Sequence, residues 1–171
     1  MCGIAAIINK KNLTKNPLNT LKNMSILISH RGPDQAGYLD YNNILLSHVR
    51  LPVMDPRNLG RQPMSNDNKI YIIFNGEIFN FKEIRIKLIK LGYKFITDSD
   101  TEVALNAYKE WGVKSFDQFN GDWVICILDK DENTFLVAKD GLGTKPLYIY
   151  EDQEYLSFCS EIKGFEALKP P

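Results

Sequence analysis

The sequence predicts an α+β layered sandwich, and three observations carry that expectation. Short strand-like runs recur at Ile4–Asn9, Ile44–Val49, Ile70–Asn75, Trp123–Asp129, Phe135–Lys139, Leu147–Tyr150 and Tyr155–Cys159. Three other stretches carry helical periodicity. The strands come in groups with the helices clustered between them, whereas a doubly wound parallel sheet requires regular alternation.

From the N-terminus, Ile4–Asn9 is an apolar run of strand length, and Leu21, Met24, Leu27 and Ile28 then share one helical face. Ile44–Val49 returns to strand, and Asp55-Pro56-Arg57-Asn58-Leu59-Gly60 reads as a surface turn. Ile70–Asn75 precedes a second helix with Phe81, Ile84, Leu88 and Leu91 on one face; Asn80 with Glu83 predicts its cap and Gly92 its end. The third helix aligns Val103, Ala107 and Trp111, with Ser99 and Glu102 as a capping box and Gly112 at its end. Four further strands follow. Among them, Asp140-Gly141-Leu142-Gly143-Thr144-Lys145 fits neither the dinucleotide fingerprint nor a P-loop, and reads as a structural turn. Lys169-Pro170-Pro171 reads as a terminus or a truncated linker.

A chain of 171 residues suits one domain, residues 1–171, with a real core. Basic and acidic residues balance at 21 each and the pI is about 6.7, so the electrostatic footprint of a nucleic-acid binder is missing. Ile4-Ala5-Ala6-Ile7-Ile8 is too short for a signal core and lacks a basic leader, and no run approaches the ~18 apolar residues of a membrane span. The expected location is the cytoplasm. Nothing in the sequence specifies an oligomeric state. Three widely spread cysteines offer neither a disulfide framework nor metal-ligand spacing, so no metal is expected. Cys126 and Cys159 lie in apolar strand runs and read as buried thiols.

Cys2 differs from both by its position. Removal of Met1 makes it the first residue, and a terminal cysteine carries its own base: an α-amine has an ordinary pKa of roughly 7.7 to 8.0 against about 8.5 for a thiol. Four polar clusters stand at the ends of apolar runs, where they could converge on Cys2: His30-Arg31-Gly32-Pro33-Asp34, His48-Val49-Arg50-Leu51, Asn75-Gly76-Glu77 and Ser99-Asp100-Thr101-Glu102. Taken alone, Asn75-Gly76 after an apolar run is equally a hairpin-turn signal. An isolated Arg50 reads as a solvated strand end, and Asp100 as a first-turn acid favouring the helix dipole.

With those clusters, Met1-Cys2-Gly3-Ile4, Phe74-Asn75-Gly76-Glu77-Ile78-Phe79-Asn80, Lys145-Pro146-Leu147-Tyr148 and Ser160-Glu161-Ile162-Lys163 follow in an order that resembles class II glutamine amidotransferase domains. Arg31-Gly32-Pro33-Asp34 resembles the branch formed by the glutaminase half of asparagine synthetases. The resemblance implies a four-layer αββα sandwich of N-terminal nucleophile hydrolase type with antiparallel sheets. It implies that the Cys2 thiolate attacks the side-chain amide carbon of L-glutamine, with the Cys2 amine as base and a thioester that water releases as glutamate. Family matching assigns the oxyanion to the Asn75 side chain and the Gly76 N–H, the substrate carboxylate to Arg50 and its ammonium to Asp100, assisted by Glu77. The backbone of Leu51, Pro52, Val53 and Met54 would line the glutamine pocket, with Pro52 where the family usually has serine. Lys139 and Gly141 stand where arginines are common. An N-terminal nucleophile leaves His30 and His48 without a necessary catalytic task, so both are read as structural, and Arg31 as tying the loop near Cys2 into the fold. The domain itself is expected to need no cofactor. ATP and magnesium would belong to a separate synthetase domain or subunit that receives the ammonia, and no Ser-Gly-Gly-x-Asp-Ser loop of such a domain occurs in this sequence. A glutaminase serving another acceptor, an amidohydrolase for a different amide and a glutamine-binding regulatory module are the competing readings.

Overall fold

A computed structural model describes residues 1–10, 17–52 and 58–168. The chain divides into two compact units, Met1–Leu51 with Pro146–Pro171, and Pro52–Lys145.

The first unit is built on strands β1 (Gly3–Asn9), β2 (Gln35–Tyr41), β3 (Ile44–Arg50), β7 (Tyr148–Glu151) and β8 (Tyr155–Cys159). They form one sheet in the order β2-β3-β1-β8-β7, antiparallel at every pairing. Helix α1 (Pro17–Leu27) starts with proline at its first position, where the missing N–H costs nothing. Its Leu21 and Met24, with Ile28 just past the helix and Phe165 of a 3-10 helix (Ile162–Leu168), pack on Ala5, Ile7, Leu45, Val49 and Cys159. Each such large side chain contributes about 1.5–3 kcal/mol by leaving water. Ile4 and Ala6 on the opposite face of β1 are buried as well, which is why this strand is a continuous apolar run.

The second unit carries β4 (Ile70–Ile78), β5 (Gly121–Asp129) and β6 (Thr134–Lys139) in that order, again antiparallel. Helices α2 (Phe81–Lys90) and α3 (Asp100–Trp111) cover one face. Ile84 and Leu88 of α2 and Val103, Ala104 and Ala107 of α3 pack with Ile72, Phe74, Trp123, Ile125 and Ile127. The α+β class with antiparallel sheets is therefore as expected, each unit pairing one sheet with its own helical layer. No helix among the described residues is long and apolar enough to cross a membrane.

Four expectations are corrected. β2 was not foreseen; it is an edge strand with alternating half-buried and exposed residues, and Gly37 and Asp40 dilute its strand signal. Asn75-Gly76 is not a hairpin turn, because β4 continues through it to Ile78, pairing Gly76 with Trp123 and Glu77 with Asp122. The Asn80 side chain does not cap α2; its amide donates to Gln118 O (2.9 Å) and its oxygen accepts from Asn120 N (2.9 Å), so distant backbone outcompetes the local cap. Ser99 does cap α3, accepting from Thr101 N at 3.0 Å, but Glu102 reaches Ile96 and Thr97 instead of closing the box. Gly92 and Gly112 follow their helices with positive φ as expected. Asp140 organises the 140–145 turn by accepting from Leu142 N (2.9 Å) and Trp123 N (3.1 Å). Of the expected 55–60 turn, Asn58–Gly60 is a 3-10 turn, while residues 55–57, like Lys169-Pro170-Pro171, lie outside the described residues.

Candidate active site

In the first unit Cys2 immediately precedes β1 and is half-buried, with Sγ 3.7 Å from the carbonyl oxygen of Leu51. Met1 is still joined to it, so the Cys2 nitrogen is an amide that becomes an amine on removal of Met1. The other two thiols contrast with it: burial pushes Cys126 up to about 12 and Cys159 up to about 11, which keeps both protonated and inert.

The segment around Cys2 is held from a 3-10 turn, Ser29–Arg31. Arg31 Nε donates to the Cys2 carbonyl at 3.0 Å, and its Nη1 to Glu161 Oε1 at 3.1 Å. Gly32 allows the loop to press on β3, since a Cβ there would stand 2.5 Å from the Val49 carbonyl and 2.6 Å from that of Arg50. His30 Nε2 meets Glu161 Oε1 at 2.9 Å, and His48 is buried in β3 opposite Ile4. Arg50 ends β3; it is 6% exposed, lies opposite Gln35 in the β2–β3 register and donates to Gln35 Oε1 at 3.3 Å. Gln35 was not singled out in the sequence, although it directly follows the Arg-Gly-Pro-Asp segment. Leu51 is partly exposed. Pro52, half-buried, opens the second unit, and Val53 and Met54 lie outside the described residues.

In the second unit, Asn75, Gly76 and Glu77 lie near the C-terminal end of edge strand β4. The Asn75 side chain is buried, and its amide nitrogen has no hydrogen-bond partner among the described residues. The Gly76 N–H faces the outer edge of the sheet. Its neighbours of the same parity donate there, Ile72 to Met64 O (2.9 Å), Phe74 to Gln62 Oε1 (2.6 Å) and Ile78 to Asp100 Oδ2 (3.0 Å), while Trp123 opposite Gly76 spends its own N–H and C=O on Asp140. Gly76 has φ of 149°, and a Cβ on it would run into Asp122 O and Trp123 Cα, so only glycine fits. Gln62 also donates to Thr101 Oγ1 at 3.2 Å, tying β4 to the start of α3; no sequence signal pointed to it.

Asp100, the first residue of α3, is 4% exposed. Burial pushes its carboxyl up to about 6, and the charge of Glu77 adds to the rise, while the amides of Ile78, Thr101 and Asp100 itself oppose it. The structure thus brings Asp100 to the end of β4, one residue beyond Glu77, and brings Cys2 to Leu51 and Arg31. No group of three or more metal-binding side chains occurs among the described residues.

Comparison with known proteins bears on this arrangement. The glutamine amidotransferase domain family matches residues 1–170. A putative glutamine-hydrolysing asparagine synthetase of Methanocaldococcus jannaschii is 38% identical over 189 residues, covering 99% of this chain and 36% of its own length. A glutamine-hydrolysing asparagine synthetase of Bacillus subtilis is 38% identical, covering 96% of this chain and 26% of its own length, and one from Arabidopsis thaliana is 38% identical with 96% and 28%. The chain therefore spans between 26% and 36% of the length of these relatives. Among solved structures, the glutamine phosphoribosylpyrophosphate amidotransferase of B. subtilis aligns with a TM-score of 0.83 at 21% identity, over 98% of this chain and 43% of that one, which shows a shared fold.

Proposed function

This chain belongs to the glutamine amidotransferase domain family, and from that membership we propose that it is a glutaminase that hydrolyses L-glutamine to L-glutamate and ammonia through Cys2. Once Met1 is removed, the Cys2 amine takes the thiol proton and the thiolate adds to the side-chain amide carbon of glutamine. The tetrahedral intermediate collapses to a Cys2 thioester as the C–N bond breaks, the proton passing to departing ammonia. Water then adds to the thioester, and C–S cleavage returns the thiol and frees glutamate. The observation that carries this reading is the buried Asn75 amide nitrogen, without a partner among the described residues and next in chain to an edge-facing Gly76 N–H. A polar hydrogen kept from water and unbonded is costly in a resting fold, and becomes useful when negative charge develops on an oxyanion.

Substrate recognition uses the remaining residues. Arg50 grips the α-carboxylate, and Asp100 receives the α-ammonium with help from Glu77. The backbone of Leu51 and Pro52 borders the glutamine. These steps call for no cofactor. The ammonia passes to an ATP- and magnesium-using partner of asparagine-synthetase type, a domain or a subunit, in the cytoplasm; the names and greater lengths of the relatives support that partner.

Incubation with a diazo-ketone analogue of glutamine followed by intact-mass analysis tests the reading. Loss of Met1 with one adduct on Cys2 is expected, as is release of glutamate by wild type and none by Cys2→Ala. Glutamate release by Cys2→Ala, or normal turnover by protein that retains Met1, overturns it.

A further inference from the structure

We propose that Ser160 and Glu161 are positioning residues that clamp the nucleophile's segment, an inference that rests on the glutaminase reading of Cys2. A terminal nucleophile has no preceding chain to hold it, and chain ends fray unless tied down. Its thiol and amine are aimed in part through the carbonyl of residue 2 and the peptides that follow. Ser160 and Glu161, adjacent residues just past β8, reach both places.

Ser160 grips Ile4 at two points: its N–H donates to Ile4 O at 3.0 Å and its Oγ accepts from Ile4 N at 3.0 Å. Glu161 acts one step further toward the terminus, through Arg31. Its Oε1 accepts from Arg31 Nη1 at 3.1 Å, and the other end of that guanidinium donates from Nε to the Cys2 carbonyl at 3.0 Å. A planar guanidinium bonded at both ends has little freedom left, so the carboxylate fixes the donor that fixes Cys2. Glu161 is itself fixed by His30 Nε2 (2.9 Å to Oε1) and Lys163 Nζ (3.3 Å to Oε2). Lys163 Nζ also lies 3.4 Å from His30 Nδ1, which leaves Nε2 as the ring's donor to the carboxylate. The arrangement holds the backbone at Cys2 through the Arg31 side chain and at Ile4 through the N–H and hydroxyl of Ser160, as alignment of a nucleophile to within a fraction of an ångström demands.

Glu161→Ala, Glu161→Gln, Arg31→Lys and the Arg31→Lys/Glu161→Ala double variant test the clamp, each as mature protein lacking Met1. Displacing a reacting group by about 1 Å costs on the order of 100-fold. Glu161→Ala is therefore expected to lower kcat for glutamine hydrolysis about 30- to 100-fold with KM within about twofold. Glu161→Gln keeps an acceptor for Arg31 and should fall between Ala and wild type. The double variant should lose less than the product of the single losses, because both changes break one chain of contacts. Hydrogen exchange, read without substrate, should quicken about tenfold or more at residues 3–5 in Glu161→Ala while the β3 and β7 amides keep their wild-type rates. Unchanged exchange at residues 3–5, independent multiplication of the two single effects, or a rise in KM matching the fall in kcat would each overturn the clamp. A wild type that releases no glutamate would overturn the glutaminase reading instead, and the exchange experiment would still decide whether Glu161 holds the segment.

Discussion

Two carboxylates, a partly buried one just past β8 and a buried one at the start of α3, are moved in opposite directions by their surroundings. Burial raises Glu161, but hydrogen bonds from Arg31, His30 and Lys163 outweigh it and hold the group below the ordinary glutamate value. Burial raises Asp100 too, and there it wins, reaching about 6 with Glu77 pushing the same way. The protein supplies the cations that Glu161 needs, so that carboxylate belongs to the scaffold. Asp100 receives backbone amides and a neighbouring negative charge, and remains short of positive charge. A substrate ammonium would meet that demand.

Replacing Asp100 by Asn cuts most deeply into this contrast. Removing one partner of a buried charge pair costs about 3–5 kcal/mol, so kcat/KM for glutamine should fall on the order of 1,000-fold, chiefly through KM. Stability should move the other way. The folded pKa of about 6 lies above the ordinary 3.8, so the ionised carboxylate disfavours the folded state increasingly between those values and by a constant amount above them. Asparagine relieves up to about 3 kcal/mol of that cost near neutral pH, visible in denaturant unfolding of Asp100→Asn beside wild type. A wild-type KM in this variant would remove Asp100 from ammonium binding.

The pH response of the unaltered protein is the next largest effect. As pH falls through about 6, Asp100 takes up a proton and can no longer pair with an ammonium, so KM for glutamine should climb about tenfold per unit below that point. Glu161 has the opposite sign: its contribution to stability is present above the ordinary value of 4.5 and disappears only as pH falls through its lowered folded value. Glutamine binding should therefore weaken well before the first unit loosens. Steady-state kinetics and thermal melts between about pH 7 and 5 compare the two, and a KM that stays flat, or rises only as the melting temperature drops, breaks the distinction.

The sequence disclosed the three α-helices and every described strand except β2 because apolar periodicity is local, and offered the candidate site residues through their order in family motifs. It disclosed less where a side chain's partner is distant. Asn80 has the composition of a cap, yet its amide is taken by Gln118 and Asn120, some forty positions away. Asn75-Gly76 has the composition of a turn, and only the pairing of β4 with β5 through Ile78 shows an extended strand whose glycine answers to the close approach of Asp122 and Trp123. Glu161 carried a motif but no role, since its meaning depends on Arg31, 130 residues earlier. Gln62 and Gln35 had no signal at all: each is an isolated polar residue whose use is set by the strand or helix it meets.

Glu102 supplies the finest test, because it lies two residues from Asp100 on the same first turn and is equally buried. Its oxygens are filled by the fold: Oε1 accepts from Ile96 N at 3.0 Å, and Oε2 from Thr97 N and Thr97 Oγ1, each at 2.7 Å. Glu102→Gln keeps the shape and one acceptor but turns an NH2 toward donors. Hydrogen bonds to a charged group are worth about 1.5–3 kcal/mol, so stability should drop by about that much while kcat and KM for glutamine stay within about twofold. Asp100→Asn should show the reverse, losing binding while gaining stability. If Glu102→Gln instead raised KM as far as Asp100→Asn, the ammonium would answer to the summed negative charge at the head of α3, and the unmet position of Asp100 would carry no special meaning.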